Sequence, residues 1–508
     1  MRNVIRKNAL ANLFGYAWAI ALQLFLTPFY IHYLGIESYA LIGFYLMLIA
    51  AVQIFDFGLS QTLNREMSRL SVNPQDFTQA RDVLRTLEFV YWPVVAVVCS
   101  LLLMLTPLLA RNFLNAAALP QQVVTTSVST MALVVALQWP ITFYSSGLMG
   151  LQRQVLANTL RVIVSTVTGI GTILVILLVS RSITAFFYWQ AICAALALVC
   201  FGFALYGSLP AATIRAGFRS EVLGRVWRFA TGITAITLSA LVLTQFDKWI
   251  LAKMLSLAAF GYFMLAVTVA GGLNLLVTPL FNAVFPRFSG LVAEQKEETL
   301  LALFHMATQA MAVFLLPLAL GVSLFANEVL YLWTGNLEVA RYSGPILAIL
   351  VLGTALNGLF HIPYALALAR AQTRFIVLMN FAAIAVLVPA VWYFASRYGA
   401  IVAAFSWLAL NLSYLFVYVP LVRRQFGSKE RVRWMVRDIG SPLVISAAVL
   451  GLARIVLPDG LGRLALAGFI AFTLGLTVSI TLALSPQVRR VACEIFARKI
   501  DPVPNRGQ

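Results

Sequence analysis

Apolar residues are arranged along this 508-residue chain in long runs separated by short polar segments. A helix needs about 20 mostly apolar residues to cross a bilayer, because it rises about 1.5 Å per residue through a hydrocarbon core about 30 Å thick. The runs predict an all-α polytopic membrane protein with about fourteen transmembrane helices. The predicted spans are 9–33, 38–64, 86–109, 122–149, 155–179, 183–207, 227–252, 258–285, 304–326, 343–368, 375–396, 400–421, 441–457 and 463–485.

The lysine and arginine residues lie mostly on one side of these predicted spans. The chain has 36 of them and a formal net charge of +18. Of these residues, 28 fall at the two ends of the chain or in alternate loops, 7 fall in the remaining loops, and Lys248 lies within a span. Basic loops remain on the cytoplasmic side of a membrane. We therefore predict a multi-pass protein of the inner (plasma) membrane with both termini in the cytoplasm. The positive charge then sets the orientation of the protein in the membrane and can bind anionic lipid. We expect no nucleic-acid partner.

The composition also narrows the class of function. Hydrophobic residues make up 61% of the chain and charged residues 11%, which is far from the composition of soluble globular proteins. The four cysteines lie in or beside apolar runs without metal-ligand spacing, the three histidines form no cluster, and no phosphate-binding loop is present. We expect no cofactor, no metal and no enzymatic activity. Active transport would then draw on an ion gradient, the membrane potential or the substrate gradient.

The chain contains an internal repeat with an offset of 217 to 223 residues. Each repeat holds six predicted spans, and because six is even, the two repeats are related by an axis along the membrane normal. The matching pairs are 26–30 with 243–247, Arg65 with Arg287, 138–140 with 361–363, and Asn158 with Asn380. The predicted organisation is an N-lobe at 1–207, a cytoplasmic linker at 208–226, a C-lobe at 227–421, a basic cytoplasmic linker at 422–440, an additional helix pair at 441–485 and a cytoplasmic tail at 486–508.

Polar residues form a narrow stripe on predicted span 2. On a continuous helix, Gln53, Asp56, Ser60 and Asn64 would lie within an arc of about 80°. Asp56 would lie well inside the bilayer, where an ionisable group costs about 2.5–3.5 kcal/mol and usually faces a partner or a wet cavity. Asp56 has no basic residue at i±3 or i±4. It is therefore either a proton-coupling group or a fixed hydrogen-bonding group.

Similar stripes lie on four other predicted spans, two of them the first two helices of the second lobe. They are Asn158, Arg161, Ser165, Thr168 and Thr172 on span 5, Thr237, Thr244, Asp247 and Lys248 on span 7, Asn274, Thr278 and Asn282 around an expected kink at Pro279 on span 8, and Asn357 and His361 on span 10. A lone polar residue in a span is usually a helix-packing contact, but repeated stripes favour a shared central cavity. The candidate cavity residues are Asp56, Asn64, Arg65, Arg161, Asp247, Lys248, Asn274, Asn282, Arg287, Asn357 and His361.

An ordered set of short segments adds a resemblance to a known family. The segments are Leu34–Tyr39, Asp56–Leu59 with Arg65, Gly147–Arg153, Phe246–Trp249 with Gly261–Tyr262, and Phe285–Ser289. Over the two lobes, this set resembles bacterial polysaccharide flippases of the multidrug/oligosaccharidyl-lipid/polysaccharide exporter superfamily. The resemblance implies two six-helix lobes around a V-shaped alternating-access cavity. It also implies transfer of undecaprenyl-pyrophosphate-linked oligosaccharide to the periplasmic leaflet, for surface polysaccharide such as O-antigen or capsule.

The chemistry of such a substrate agrees with the polar stripes. A sugar diphosphate is polyanionic and rich in hydroxyls, so it requires arginine or lysine together with amide and hydroxyl side chains. The prenyl tail can stay in the lipid. In the related lipid II flippases an additional helix pair borders a groove for this tail, and the resemblance implies the same for 441–485. Anionic lipids would contact the basic linker, and a polysaccharide polymerase is a further candidate partner.

Three other functions remain as alternatives. The first is a cation-coupled exporter of drugs or other small molecules with the same fold, although span 1 lacks the carboxylate that many of those exporters carry. The second is a peptidoglycan-precursor (lipid II) flippase, which fourteen spans would suit. The third is a membrane-embedded glycan polymerase or ligase, which would need a larger periplasmic loop than this chain offers.

Overall fold

The computed structural model describes residues 2–71, 77, 79–210, 238–239, 241–370, 372, 374–458, 460–486 and 488–489. These residues are almost entirely helical and form no β-strand; an isolated bridge joins Asn115 to Ser256. The all-α fold class is therefore confirmed. The helices are α1 (Arg2–Leu34), α2 (Ile36–Val52), α3 (Leu59–Leu70), α4 (Ala80–Leu108), α5 (Gln121–Gly150), α6 (Gln154–Leu178), α7 (Ile183–Gly207), α8 (241–254), α9 (Leu257–Gly271), α10 (Asn274–Ala293), α11 (Glu297–Leu324), α12 (Ala326–Thr334), α13 (Leu337–Ala369), α14 (Arg374–Tyr398), α15 (Ile401–Phe426), α16 (Ser428–Val432), α17 (Ser441–Val456) and α18 (Arg463–Ala483).

Twelve of the described helical segments are long and apolar enough to cross a membrane, and each overlaps a different predicted span. A polytopic membrane protein is therefore confirmed, while the number fourteen stays approximate. The other two predicted spans, 7 and 12, correspond to α8 and to α15, whose described apolar part is Ile401–Leu415. The first part of span 7 with Thr237, nearly all of the linker at 208–226 and most of the tail at 486–508 lie outside the described residues.

Predicted span 8 is two helices rather than one. Helix α9 ends at Gly271, and α10 begins at Asn274 and continues through Pro279. The interruption falls at the pair Gly271-Gly272 because glycine costs about 1 kcal/mol relative to alanine inside a helix. Backbone hydrogen bonds between residues three apart span this interruption. They run from the Gly272 amide to the Val269 carbonyl (3.0 Å) and from the Leu275 amide to the Gly272 carbonyl (3.1 Å).

The chain packs as two compact units. Unit 1 comprises Met1–Met264 and Val377–Ala400, and unit 2 comprises Leu265–Ile376 and Ile401–Gln508. These bounds follow packing, whereas the predicted lobes follow the internal repeat. The lobe boundaries therefore stay a prediction.

Unit 1 is organised around α5, which packs against α2, α3, α4 and α7. Its centre is aromatic, with the ring of Phe143 stacked on that of Tyr91 at a centroid distance of 4.4 Å. Two buried carboxylates are fully engaged by neutral donors. Glu88 accepts hydrogen bonds from the hydroxyls of Tyr144 (2.7 Å) and Tyr206 (2.6 Å). Glu37, at the start of α2, accepts three backbone N–H bonds of 2.9–3.2 Å from residues 117–119. Such charge-assisted bonds hold a carboxylate inside a protein without a cation.

Unit 2 is organised around α11, which packs against α13, α17 and α18. The additional helix pair contributes to a buried apolar cluster, in which Leu450 of α17 and Leu466 and Ile470 of α18 surround Phe325. The pair that lies outside the repeat is therefore part of the core of unit 2.

The end of the basic linker is anchored to α11 through a buried histidine. The ring of His305 is fully buried, and its Nδ1 contacts Oδ2 of Asp438, which is also fully buried. Its Nε2 lies 2.9 Å from Oε2 of Glu430, in a direction too oblique for a good hydrogen bond. The indole of Trp434 is fully buried, and its ring centroid lies 6.5 Å from that of Phe304 on α11. Residues 428–440 thus present one face to α11 and leave Val436 exposed on the other.

We expect His305→Ala to destabilise this anchor, because it leaves the Asp438 carboxylate buried without its partner. Removing one member of a buried pair typically costs about 3–5 kcal/mol. Thermal unfolding of the detergent-purified protein, followed by tryptophan fluorescence, should begin at a lower temperature, and trypsin should cut within 422–440 sooner. His32→Ala, at an exposed histidine of α1, is the matched control. An unchanged transition and unchanged cleavage in His305→Ala would show that the anchor contributes no stability.

Candidate functional site

Unit 1 contains a cavity of about 580 Å³ between α1, α2, α5, α6 and α7. Its wall combines apolar residues with many uncharged polar ones. Among the residues that line it, Arg161 is the one with a charge, and there is no carboxylate. The polar lining consists of Gln23, Tyr30, Tyr45, Gln138, Thr142, Ser145, Ser146, Arg161, Ser165, Thr168 and Gln190.

The guanidinium of Arg161 is half-buried and has only weak neutral partners in the described structure. It donates to Oδ1 of Asn158 at 3.3 Å and to Oγ of Ser145 at 3.4 Å. Both bonds are long, and no described carboxylate forms an ion pair with this residue. A guanidinium remains charged in any protein environment and offers five donors in a planar fork. The cavity therefore has a net positive charge and suits an anionic group.

Asn158 is held in place by the packing of α1 against α6. Its side-chain amide donates to the side chain of Asn12 and to the Gln154 carbonyl (2.8 Å), and Asn12 in turn donates to Oε1 of Gln154 at 3.3 Å. Only 3% of Asn158 is exposed. It is therefore a buried support for Arg161. Of the predicted span-5 stripe, Arg161, Ser165 and Thr168 reach the cavity, whereas Asn158 and Thr172 are buried.

The stripe predicted on span 2 is wrong, because the helix is interrupted there. A single 3₁₀ turn covers Gln53–Asp56, and both Phe57 (φ 46°) and Gly58 (φ 74°) have left-handed backbones before α3 begins. The apolar segment thus ends at Asp56, which is not well inside it. The sequence contains a signal for this break, since glycine readily adopts the left-handed region and aspartate favours helix starts.

Asp56 is a capping residue at the start of α3. Its carboxylate accepts the Ser60 hydroxyl at 2.6 Å and the Ser60 backbone N–H at 3.2 Å. The partner of Asp56 is therefore local, and the carboxylate stabilises the left-handed turn together with the first turn of α3.

Asn64 and Arg65 follow on α3, which is amphipathic. Leu63 and Met67 are completely buried, while Asn64 is half-buried and Arg65 is exposed. The adjacent Glu66 forms an ion pair with Arg69 at 2.9 Å. Neither Asn64 nor Arg65 lines the described cavity. Arg65 instead lies on a polar surface helix beyond the apolar segment.

Asp247 and Lys248 form a pair on α8. Lys248 Nζ lies 3.4 Å from Oδ1 of Asp247 and also donates to the Thr244 carbonyl. Because each charge has the other as its neighbour, the pair is less suited than Arg161 to attract a charged ligand.

The candidates of unit 2 lie on α10 and α13. Asn357 donates to Oδ1 of Asn411 at 2.9 Å, and its carbonyl oxygen lies 2.9 Å from Nδ1 of His361. The His361 ring in turn meets the Phe281 ring edge-on at 5.7 Å. Three further candidates complete the set: Asn274 is half-buried at the first position of α10, and Asn282 and Arg287 are exposed on the same helix.

Several cavity residues lie outside the predicted stripes. Gln23, Gln138 and Gln190 occur singly on three different helices, and Ser145 and Ser146 are adjacent. Periodicity within one helix cannot find such residues, because they converge only when the helices pack. The signal available in the sequence was weaker: a glutamine is unusual in an apolar run.

Comparisons with known proteins agree with this architecture. A family model described as "Polysaccharide biosynthesis protein" matches residues 5–292. A curated Shigella flexneri protein named "Putative O-antigen transporter" is 22% identical over 414 residues, which cover 79% of this chain and 94% of that protein.

Two solved structures share the fold at low sequence identity. The lipid II flippase MurJ in an inward closed conformation aligns with a TM-score of 0.66 and 14% identity, over 94% of this chain and 98% of that chain. An inward-facing multidrug resistance MATE family transporter of the MOP superfamily aligns with a TM-score of 0.63 and 13% identity, over 82% and 95%. Because the family model spans more than half of its residues, the chain belongs to the polysaccharide biosynthesis protein family.

Proposed function

We propose that the protein is a flippase that moves undecaprenyl-pyrophosphate-linked oligosaccharide from the cytoplasmic to the periplasmic leaflet by alternating access. The product would enter the synthesis of a cell-surface polysaccharide such as O-antigen or capsule. The proposal draws on the family membership and on one structural observation, the Arg161 cavity. The protein would move its substrate without changing it covalently.

The Arg161 cavity supports the proposal through its charge and its donors. A pyrophosphate needs a cation that is not already neutralised, and Arg161 has only long bonds to Asn158 and Ser145. Arginine binds phosphate through two parallel N–H bonds. The amide and hydroxyl groups around it can then bind the remaining phosphate oxygens and the sugar hydroxyls. The volume of about 580 Å³ is typical of a small-ligand site, so it suits the polar head, while the prenyl chain stays in the lipid.

The same observation weighs against the cation-coupled exporter. A cationic drug or a coupling ion would be attracted by carboxylates, and the described lining of this cavity has none. A lipid II flippase is different, since its substrate also carries a diphosphate. The charge of the cavity does not separate these two substrates, and the family membership favours a polysaccharide precursor.

Arg65 and Arg287 are proposed to meet the substrate first. They occupy equivalent positions of the internal repeat, and both are exposed. The distribution of basic residues supports a position of both arginines, and of both termini, on the cytoplasmic side of the inner membrane. The basic linker at 422–440 would bind anionic lipid on the same side, and the polymerase machinery would receive the product on the other.

We expect Arg161→Gln to reduce substrate affinity about 10- to 100-fold, because hydrogen bonds to charged groups contribute about 1.5–3 kcal/mol. The measurement is transport of undecaprenyl-pyrophosphate oligosaccharide into reconstituted vesicles, with surface polysaccharide in cells as a second readout. Arg161→Lys should retain part of the activity. Arg153→Gln, at an exposed arginine just before α6, is the matched control. Normal transport by Arg161→Gln at normal abundance would exclude this residue from substrate binding.

We also expect Arg65→Ala and Arg287→Ala each to lower surface polysaccharide without loss of protein from the membrane, since an exposed guanidinium assists capture of an anion from the leaflet. The effect should decrease at high ionic strength in vesicles. Arg69→Ala, one turn beyond Arg65 and paired with Glu66, serves as the control. Full polymer output from both variants would refute the capture role.

Asp56→Asn tests whether this carboxylate couples transport to protons. We expect the variant to transport normally and to keep any response to an imposed pH gradient, because asparagine caps a helix as well as aspartate does. Asp56→Leu, which cannot cap, should lose activity and thermal stability. If Asp56→Asn transports but no longer responds to the pH gradient, then Asp56 is the coupling group.

A further inference from the structure

We infer that unit 2 carries a binding surface for the rings of neutral sugars, separate from the Arg161 cavity of unit 1. This aromatic–amide face consists of Thr278, Phe281, Asn282 and Phe285 on α10 and of His361 and Tyr364 on α13. The inference deepens the proposed function, since it assigns the glycan part of the proposed substrate to a site of its own.

The three aromatic rings of this face are nearly parallel. The rings of Phe281 and Phe285 have a centroid distance of 5.8 Å and an interplanar angle of 4°. The Tyr364 ring lies 6.2 Å from that of Phe281 at an angle of 21°. If the Phe281 and Phe285 planes are about 3.5 Å apart, these rings are offset sideways by about 4.6 Å, so that each covers only part of its neighbour. All three residues are half-buried, and part of the ring surface therefore stays open.

The position of this face on α10 favours water over lipid. The buried side of α10 consists of Val277, Val284, Phe288 and Leu291. At 100° per residue, a neighbouring arc of about 100° contains Asn274, Thr278, Phe281, Asn282, Phe285 and Ser289. Amide and hydroxyl groups repeated along one arc of a membrane-spanning helix usually face a polar partner or a wet cavity. On this arc, amide side chains alternate with aromatic rings. A strip that faced only lipid would lack the amides.

The chemistry of the face matches a pyranose ring. One side of a pyranose is rich in C–H groups, which pack against aromatic rings, while its rim carries hydroxyls. The exposed amide of Asn282 can both donate to and accept from such hydroxyls. His361 is oriented by its contact with the Asn357 carbonyl. Since a carbonyl oxygen only accepts, Nδ1 carries the proton, and Nε2 of the neutral ring is an acceptor for a sugar hydroxyl.

The two sites differ in charge and therefore suit different parts of the proposed substrate. No residue of the aromatic–amide face carries a full charge when His361 is neutral, whereas the cavity of unit 1 contains Arg161 without a carboxylate in its lining. The diphosphate therefore suits unit 1, and the neutral sugars suit unit 2.

The test uses the full-length detergent-purified protein and a probe without phosphate or prenyl chain. This probe is the free oligosaccharide released by mild acid from the organism's own undecaprenyl-linked glycan. Saturation-transfer NMR with irradiation of aromatic protons should transfer signal to sugar C–H protons. The double variant Phe281→Leu/Phe285→Leu should weaken binding about tenfold or more. Phe281→Tyr/Phe285→Tyr should retain binding, and Phe314→Leu, at an exposed phenylalanine of α11, is the matched control.

Asn282→Ala provides a second test in case the double leucine variant is unstable. Its side chain is exposed, so the substitution should not disturb packing. We expect it also to weaken oligosaccharide binding. The inference is overturned if the parent protein does not bind the oligosaccharide, or if Asn282→Ala and a stably folded leucine variant bind it as the parent does. Inorganic pyrophosphate should not displace the oligosaccharide. If the oligosaccharide binds but the lipid-linked glycan is not transported, the proposed function fails while this site stands.

Discussion

The constraint on which this structure depends is that a charge removed from water needs a partner inside the protein. Glu37 is satisfied by backbone N–H groups, Glu88 by two tyrosine hydroxyls, Asp247 by Lys248, and Asp438 by His305. The contacts of Glu37, Glu88 and Asp438 also join different elements of the fold. Arg161 differs from them, because its described partners are two neutral oxygen atoms at long distance. This difference is the reason for proposing Arg161, rather than one of the paired charges, as a group that binds the substrate.

A pair of asparagines that the predicted internal repeat matches makes similar helix contacts. Asn158 of α6 donates to the side chain of Asn12 on α1, and its repeat equivalent Asn380 of α14 donates to Oγ of Ser239 at 3.5 Å. Both asparagines are nearly buried. Asn158 also accepts a hydrogen bond from Arg161, which lines the cavity of unit 1.

The periodic stripe on α6 led to residues of the described cavity, whereas the stripe on span 2 did not. On α6 the stripe led to Arg161, Ser165 and Thr168, which line the cavity. On span 2 the assumption of one continuous helix failed, and Asp56 caps α3 at the end of the apolar segment instead of lying well inside it. The pairing of Asp247 with Lys248 likewise depends on side-chain rotamers, which angles along a helix do not specify. The error on span 2 arose because a local turn competes with the helix there.

The sequence by itself determined the all-α membrane class, the position of nearly every span and the basic side of the bundle, because these follow from the hydrophobic effect and from charge acting on one segment at a time. The family resemblance was also available at that level. Only the tertiary structure decided that Gln23, Gln138 and Gln190 meet around Arg161, that His305 reaches Asp438, and that Phe281 stacks on Tyr364. These contacts join residues far apart in the chain, and their existence depends on how the helices pack, which no single helix encodes.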